Sequence, residues 1–113
     1  MKIYHNPRCS KSRKTLLLMK ERTNNIEIIE YLKNPITHNE LKDLLIKLKL
    51  KAIDIVRIKE PIWKEKYSKK TMTDEAIINL MITFPKLIER PIVVKGNKAI
   101  IGRPPENVFK LFD

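Results

Sequence analysis

Apolar residues along this chain fall into short blocks of two periods, and their order predicts the architecture. Ile3-Tyr4 is a β-prone run stopped by Asn6-Pro7. After a polar segment, Leu16, Leu17, Leu18 and Met19 read as helix, so the chain opens as strand, tight loop, helix. Ile26–Tyr31, bounded by Asn24-Asn25 and Asn34-Pro35, predicts a second strand, and the resulting βαβ unit takes a right-handed crossover. From there to Pro85 the pattern turns helical. Thr37-His38-Asn39-Glu40 is a capping box ahead of Leu41, Leu44, Leu45 and Leu48 at i, i+3, i+4 and i+7, with His38 exposed in the first turn. Ile53, Ile55 and Val56 cluster around Arg57, and Pro61 and Trp63 follow. Thr73-Asp74-Glu75 starts another helix, which runs through Ala76, Ile77, Leu80 and Met81. Ile92-Val93-Val94 and Ala99-Ile100-Ile101, separated by Lys95-Gly96-Asn97-Lys98, predict an antiparallel hairpin. Pro104-Pro105 then opens a last helix with Val108, Leu111 and Phe112 on its inner side.

The order βαβ, helical insertion over about residues 35–85, ββα is that of an α/β, thioredoxin-like fold with a mixed four-stranded sheet. No linker, repeat or composition break interrupts it, so residues 1–113 read as a single domain long enough to bury its own core.

Composition narrows the chemistry. One cysteine cannot form an internal disulfide, so any disulfide must be made with another molecule. One Cys and two scattered His leave no ligand set for zinc or an iron–sulfur cluster, and no bound cofactor or metal is expected. There is no apolar run of membrane-spanning length and no signal-peptide pattern, which predicts a cytosolic (cytoplasmic) protein without a membrane partner. The formal charge of +11 favours anionic partners without choosing among them. Lysines are spread over every segment and no zinc-finger or aromatic-rich RNA-binding signature occurs. The charge therefore reads as a solvated surface, with no specific nucleic acid partner and a monomeric state expected.

The candidate chemistry sits at Cys9. It falls where the first loop becomes the helix, so unpaired backbone N–H groups and the positive end of the helix dipole point near its sulfur. Arg8, Lys11 and Arg13 add positive charge, and Ser12 and Arg13 share its helix face at i+3 and i+4. A lone intracellular cysteine is ordinarily a small buried hydrophobe, but one set among Pro, Arg, Ser, Lys, Ser and Arg points to a reactive thiolate. Two arginines flank strand ends: Arg90 directly before the third strand and Arg103 directly after the fourth. In a thioredoxin-like sheet the loop before the third strand lies beside the first loop. Arg90 is therefore expected to face Cys9, Arg103 to reach the same rim, and the Arg90–Pro91 bond to be cis. Guanidiniums converging on a thiolate make an oxyanion site, because Arg matches tetrahedral oxyanions bidentately and keeps its charge.

These residues carry a resemblance. His5–Arg13 (HNPRCSKSR), Arg57 with Glu60-Pro61, Arg90–Val94 (RPIVV) and Gly102–Glu106 (GRPPE) resemble the ArsC family, the glutathione- and glutaredoxin-dependent arsenate reductases with a thioredoxin-like fold, over nearly the whole chain. The resemblance implies Cys9 as nucleophile and Arg57, Arg90 and Arg103 as ligands of arsenate or a similar oxyanion. His5 would help stabilise the thiolate with Ser12 and Arg13. Reduction of As(V) to As(III) takes two electrons, which a single thiol cannot supply as its own disulfide; glutathione would be the second thiol, as co-substrate, and a glutaredoxin the resolving one. Low-molecular-weight phosphatase chemistry is excluded, because it needs Cys-x5-Arg and Thr15 holds that position. Dithiol chemistry is excluded because Ser12 stands where Cys-x-x-Cys requires the second cysteine. Two alternatives stay open: monothiol transfer on another substrate, and a non-enzymatic regulator similar to Spx that binds RNA polymerase.

Overall fold

The computed structural model describes residues 1–112, which divide into two compact units, Met1–Asn34 with the segment from Arg90 onward, and Pro35–Glu89.

In the first unit, β1 (Lys2–His5) leads through α1 (Ser10–Lys20) to β2 (Glu27–Glu30), and β3 (Ile92–Lys95) and β4 (Lys98–Ile101) form the hairpin. The four strands make one sheet in the order β2-β1-β3-β4. β1 pairs parallel with β2, placing His5 opposite Glu30, and antiparallel with β3, placing Ile3 opposite Val93. This is the mixed sheet of the thioredoxin-like topology. The two-residue hairpin turn is Gly96-Asn97, with Gly96 at φ +61°, a conformation that favours glycine.

The core of this unit joins Ile3, Leu18, Met19, Val93, Val108 and Leu111. The inward face of α1 is Ser12, Thr15, Leu18 and Met19, so two hydroxyls share it with two apolar residues, whereas Leu17 is 59% exposed. The last segment, Pro105–Leu111, is a 3₁₀ helix rather than an α-helix. Its buried residues, Val108 and Leu111, are three apart, a spacing that stacks on one edge of a three-residue turn as readily as on an α-helical face. Asn107 Nδ2 donates to the Arg103 carbonyl at 3.0 Å, tying the start of this segment to the end of β4.

The second unit is helical: α2 (His38–Leu48), α3 (Pro61–Lys66) and α4 (Asp74–Thr83), with 3₁₀ turns at Ala52–Ile55 and Pro85–Leu87. The Thr37–Glu40 capping box closes in both directions, at 3.1 and 3.3 Å. Thr73 caps α4 by accepting from the Ala76 N–H at 3.2 Å. His38 is half-buried and bonds Glu75 at 2.7 Å. No helix among the described residues is long and apolar enough to cross a membrane.

Candidate active site

Cys9 is the N-cap residue of α1, with extended φ/ψ of −94° and 122°. Its carbonyl accepts the first helical bond, from the Arg13 N–H at 3.0 Å, and its own N–H donates to the Asn6 carbonyl at 3.0 Å. Asn6 fixes the bend: its Oδ1 accepts from the Arg8 N–H at 3.0 Å, a local turn that the following Pro7 reinforces. The sulfur is thereby held at the helix N-terminus, and it is buried as a structural cysteine would be. What separates it from one is its lining.

Burial is the largest influence on the Cys9 thiol and pushes its pKa up. The amides of Ser12 and Lys11 and the Arg90 guanidinium together outweigh it, so the net shift is downward. Cys9 closes no side-chain cap bond of full geometry, yet these two amides still act on its sulfur. Arg103 Nη2 donates to Sγ at 3.6 Å and its Nε donates to the Arg90 carbonyl at 2.7 Å. Contact geometry thus singles out Arg103, and the charge balance Arg90. The two agree, because both guanidiniums act on the one sulfur, and the Arg103–Arg90 hydrogen bond holds the Arg103 side chain against the Arg90 backbone. Arg90 Nε is buried and has no hydrogen-bond partner among the described residues, an open donor on the guanidinium that lowers the Cys9 pKa.

A close backbone approach holds that corner. The Gly102 N–H donates to the Pro91 carbonyl at 2.9 Å. A Cβ at Gly102 would lie 2.5 Å from Thr15 Oγ1 and 2.9 Å from Pro91 Cγ, so only glycine lets the end of β4 lie against α1. The Arg90–Pro91 bond is cis, as is Arg103–Pro104.

His5 and Ser12 form a buried pair under the loop, Nδ1 to Oγ at 2.6 Å. Ser12 Oγ also accepts from the Asn6 N–H at 3.0 Å, so one hydroxyl ties the His5 ring to the loop backbone. Burial lowers the His5 pKa, with Glu30 opposing and Arg13 and Lys20 acting the same way as burial, which favours the uncharged ring. His5 therefore meets Ser12 as an uncharged partner that shapes the loop. Arg13 also braces the loop, its Nη1 donating to the Pro7 carbonyl at 2.9 Å. Arg57 belongs to the second unit, where its N–H donates to the Leu87 carbonyl and its Nε lies 3.4 Å from Glu60 Oε1.

Cys9, Arg90, Arg103, Ser12 and His5 are thus gathered within one unit, together with Asn6, Thr15 and Gly102, which sequence reasoning had not assigned to the site. The signal for Asn6 was its place before Pro7, which reads only as a strand stop. For Gly102 the signal was its place between a strand and an arginine. Among the described residues no group of His, Cys, Asp or Glu could hold a metal ion.

The chain is similar to known proteins over nearly its whole length. The chain is 48% identical over 113 residues to the Escherichia coli (strain K12) protein YfgD, covering 98% of this chain and 95% of that one. It is 42% identical over 110 residues to the arsenate reductase of Neisseria meningitidis serogroup A, covering 96% and 94%. Among solved structures, the arsenate reductase from Vibrio cholerae superposes with a TM-score of 0.92 at 42% identity, over 98% of each chain. The ArsC family model matches residues 4–111, a span that takes in the loop of Cys9 and both arginine-bearing strand ends, and the chain belongs to the ArsC family.

Proposed function

We propose that this protein reduces arsenate to arsenite, with Cys9 as nucleophile and glutathione and a glutaredoxin as the thiol donors. The observation that carries the reading is a thiol of lowered pKa at a helix N-terminus with two guanidiniums beside it, one of them with an unpaired buried Nε. Arsenate reductase is the name borne by relatives that match almost end to end, and their likeness supports the substrate.

The Cys9 thiolate attacks As(V), a Cys9–S–As bond forms, and one As–O(H) bond breaks, its oxygen leaving as water after taking a proton from solvent. Arg90 and Arg103 hold the remaining oxygens and offset the charge that develops on them. Glutathione delivers the second thiol; arsenic takes up the electron pair as arsenite, and Cys9 and glutathione are left as a mixed disulfide. A glutaredoxin thiol attacks that disulfide and frees Cys9. Neutral His5, Ser12 and Arg13 act on the thiolate through the loop they hold. The protein works as a cytosolic monomer, its basic surface serving a small oxyanion rather than nucleic acid.

The test is turnover of purified protein with arsenate, glutathione and glutaredoxin. Arsenite above the uncatalysed background, dependent on both thiol donors, is the expected result. No arsenite from a chain whose Cys9 is reactive would move the assignment to monothiol transfer on another substrate.

A further inference from the structure

β3 runs antiparallel to β1, so its last residue, Lys95, lies beside the start of β1, at the opposite end of the sheet from the Cys9 loop. A pocket of about 440 Å³ opens there. Its lining is Met1, Lys95, Phe112 and three residues of the loop that joins α1 to β2, Arg22, Thr23 and Asn25.

The lining is electrostatically one-sided. Arg22 and Lys95 are cations, the Met1 ammonium donates to the Asn25 carbonyl at 2.9 Å, and among the described residues no carboxylate lines the pocket. Aromatic rings hold both cations where acids would ordinarily do so. Arg22 Cζ lies 4.6 Å from the Phe109 ring centroid and 6.0 Å from that of Phe112, and Lys95 Nζ lies 5.3 Å from the Phe112 centroid. A ring attracts a cation without neutralising it, so the N–H donors keep their full charge for an anion. Lys98 stands directly opposite Lys95 in the hairpin, and like charges placed so repel. An anion in the pocket relieves that repulsion. α1 ends nearby, but the Met19 carbonyl already accepts from the Arg22 and Thr23 N–H groups at 2.9 and 3.0 Å, which reduces the helix terminus's own repulsion of an anion.

We propose that this pocket binds a diphosphate group, free or carried on a nucleotide. The volume lies in the range of small-ligand pockets, about 300–1,000 Å³, and two separate cations suit two linked phosphates better than one oxyanion. Arg22 engages one phosphate through its fork and Lys95 the other as a point charge. No bond is made or broken here, and the site is separate from the reaction at Cys9.

Isothermal titration calorimetry with inorganic pyrophosphate, at about 0.15 M salt to screen long-range attraction, tests the site. Arg22→Gln and Lys95→Gln should each weaken binding about tenfold. Lys14→Gln removes the same charge from an exposed position outside the pocket and should stay within about twofold of wild type, as should Arg103→Gln beside Cys9. Orthophosphate, which engages one cation at a time, should bind about tenfold more weakly than pyrophosphate. ADP separates the two sources: affinity like that of pyrophosphate assigns the free diphosphate, and affinity about tenfold tighter assigns a nucleotide. Thermal melts accompany each titration. Lys95 is exposed, so Lys95→Gln keeps the test decisive even where Arg22→Gln loosens the packing on Phe109. Absence of pyrophosphate binding, equal weakening in Lys14→Gln and Lys95→Gln, loss confined to Arg103→Gln, or orthophosphate as tight as pyrophosphate overturns the proposal.

Discussion

The N-termini of α1 and α2 face the same problem and answer it oppositely. At α2, Thr37 and Glu40 satisfy each other's backbone donors in a closed box, and Glu40 places an acid in the first turn. At α1 the cap is Cys9, no side-chain cap bond closes, and the first turn carries no acid. A helix start left without a hydroxyl or carboxylate is less stable by about 1 kcal/mol, so its retention beside two arginines marks a place kept for an anion. In the thiolate form the sulfur is the first such anion, and the amides of Ser12 and Lys11 that would serve a cap serve the sulfur instead. One terminus is built for stability and the other for charge.

The largest effect comes from closing the open cap. Cys9→Ser supplies the hydroxyl that α2 has in Thr37 and removes the accessible anion. Arsenate turnover falls to background, while thermal stability holds or rises by up to about 1 kcal/mol. Loss of activity accompanied by a large fall in melting temperature would show that Cys9 had been packing rather than reacting. Because the folded thiol pKa is lowered, its contribution to stability is fully present above the ordinary thiol value of about 8.5 and is lost as pH falls through the folded value. The stability difference between wild type and Cys9→Ser should therefore shift in favour of the wild type as pH rises, which melting curves across that range would register.

Next come the arginines that have no counterpart at α2. Arg90→Lys and Arg103→Lys keep the charge but lose the fork, and each should cut turnover by about 10²-fold. Iodoacetamide alkylation followed against pH gives the accompanying readout. Its midpoint should lie below the ordinary thiol value in the wild type and rise in Arg90→Gln. A midpoint indifferent to Arg90 would leave the helix amides and Arg103 to lower the pKa.

Gly102→Ala strikes the same corner through packing. The added methyl meets Thr15 Oγ1 and Pro91 Cγ inside van der Waals contact, which costs about 1–3 kcal/mol as the strand end moves off α1. Denaturant midpoints measure the loss. Displacement of Arg103, the neighbouring residue, should lower turnover in step.

Much of this was legible in the sequence, because strand and helix periods, Gly-Asn at a hairpin turn and Pro at helix starts act over a few residues. Cys9, Arg90 and Arg103 could be placed from topology alone, since each sits at the end of an element whose neighbours the fold dictates. The inward face of α1 was harder, because Ser12 and Thr15 look like solvent residues until their partners are known. Those partners, His5, Asn6, Lys11 and Gly102, lie mostly across a loop or the whole fold rather than one helical turn away. Nor could the 3₁₀ geometry of Pro105–Leu111 be read from two apolar residues three apart. Arg57 came in only through the resemblance, and what the structure adds is local: its Nε lies 3.4 Å from Glu60 Oε1, a pairing at i+3 that the sequence already contained.

The smallest effect is the control on the closed terminus. Thr37→Ala breaks one half of the α2 box, since the Glu40 amide loses its acceptor while the N–H of residue 37 remains for the Glu40 carboxylate. Loss of such a cap costs about 1 kcal/mol, so the denaturant midpoint should fall accordingly. Nothing in that box touches sulfur chemistry, and the alkylation midpoint of Cys9 should stay at its wild-type value. Thr37→Ser, which restores the hydroxyl, should recover most of the lost stability. If Thr37→Ala proved neutral, a closed cap would be worth nothing in this protein, and the open cap at Cys9 would no longer be evidence that stability had been set aside there for reactivity.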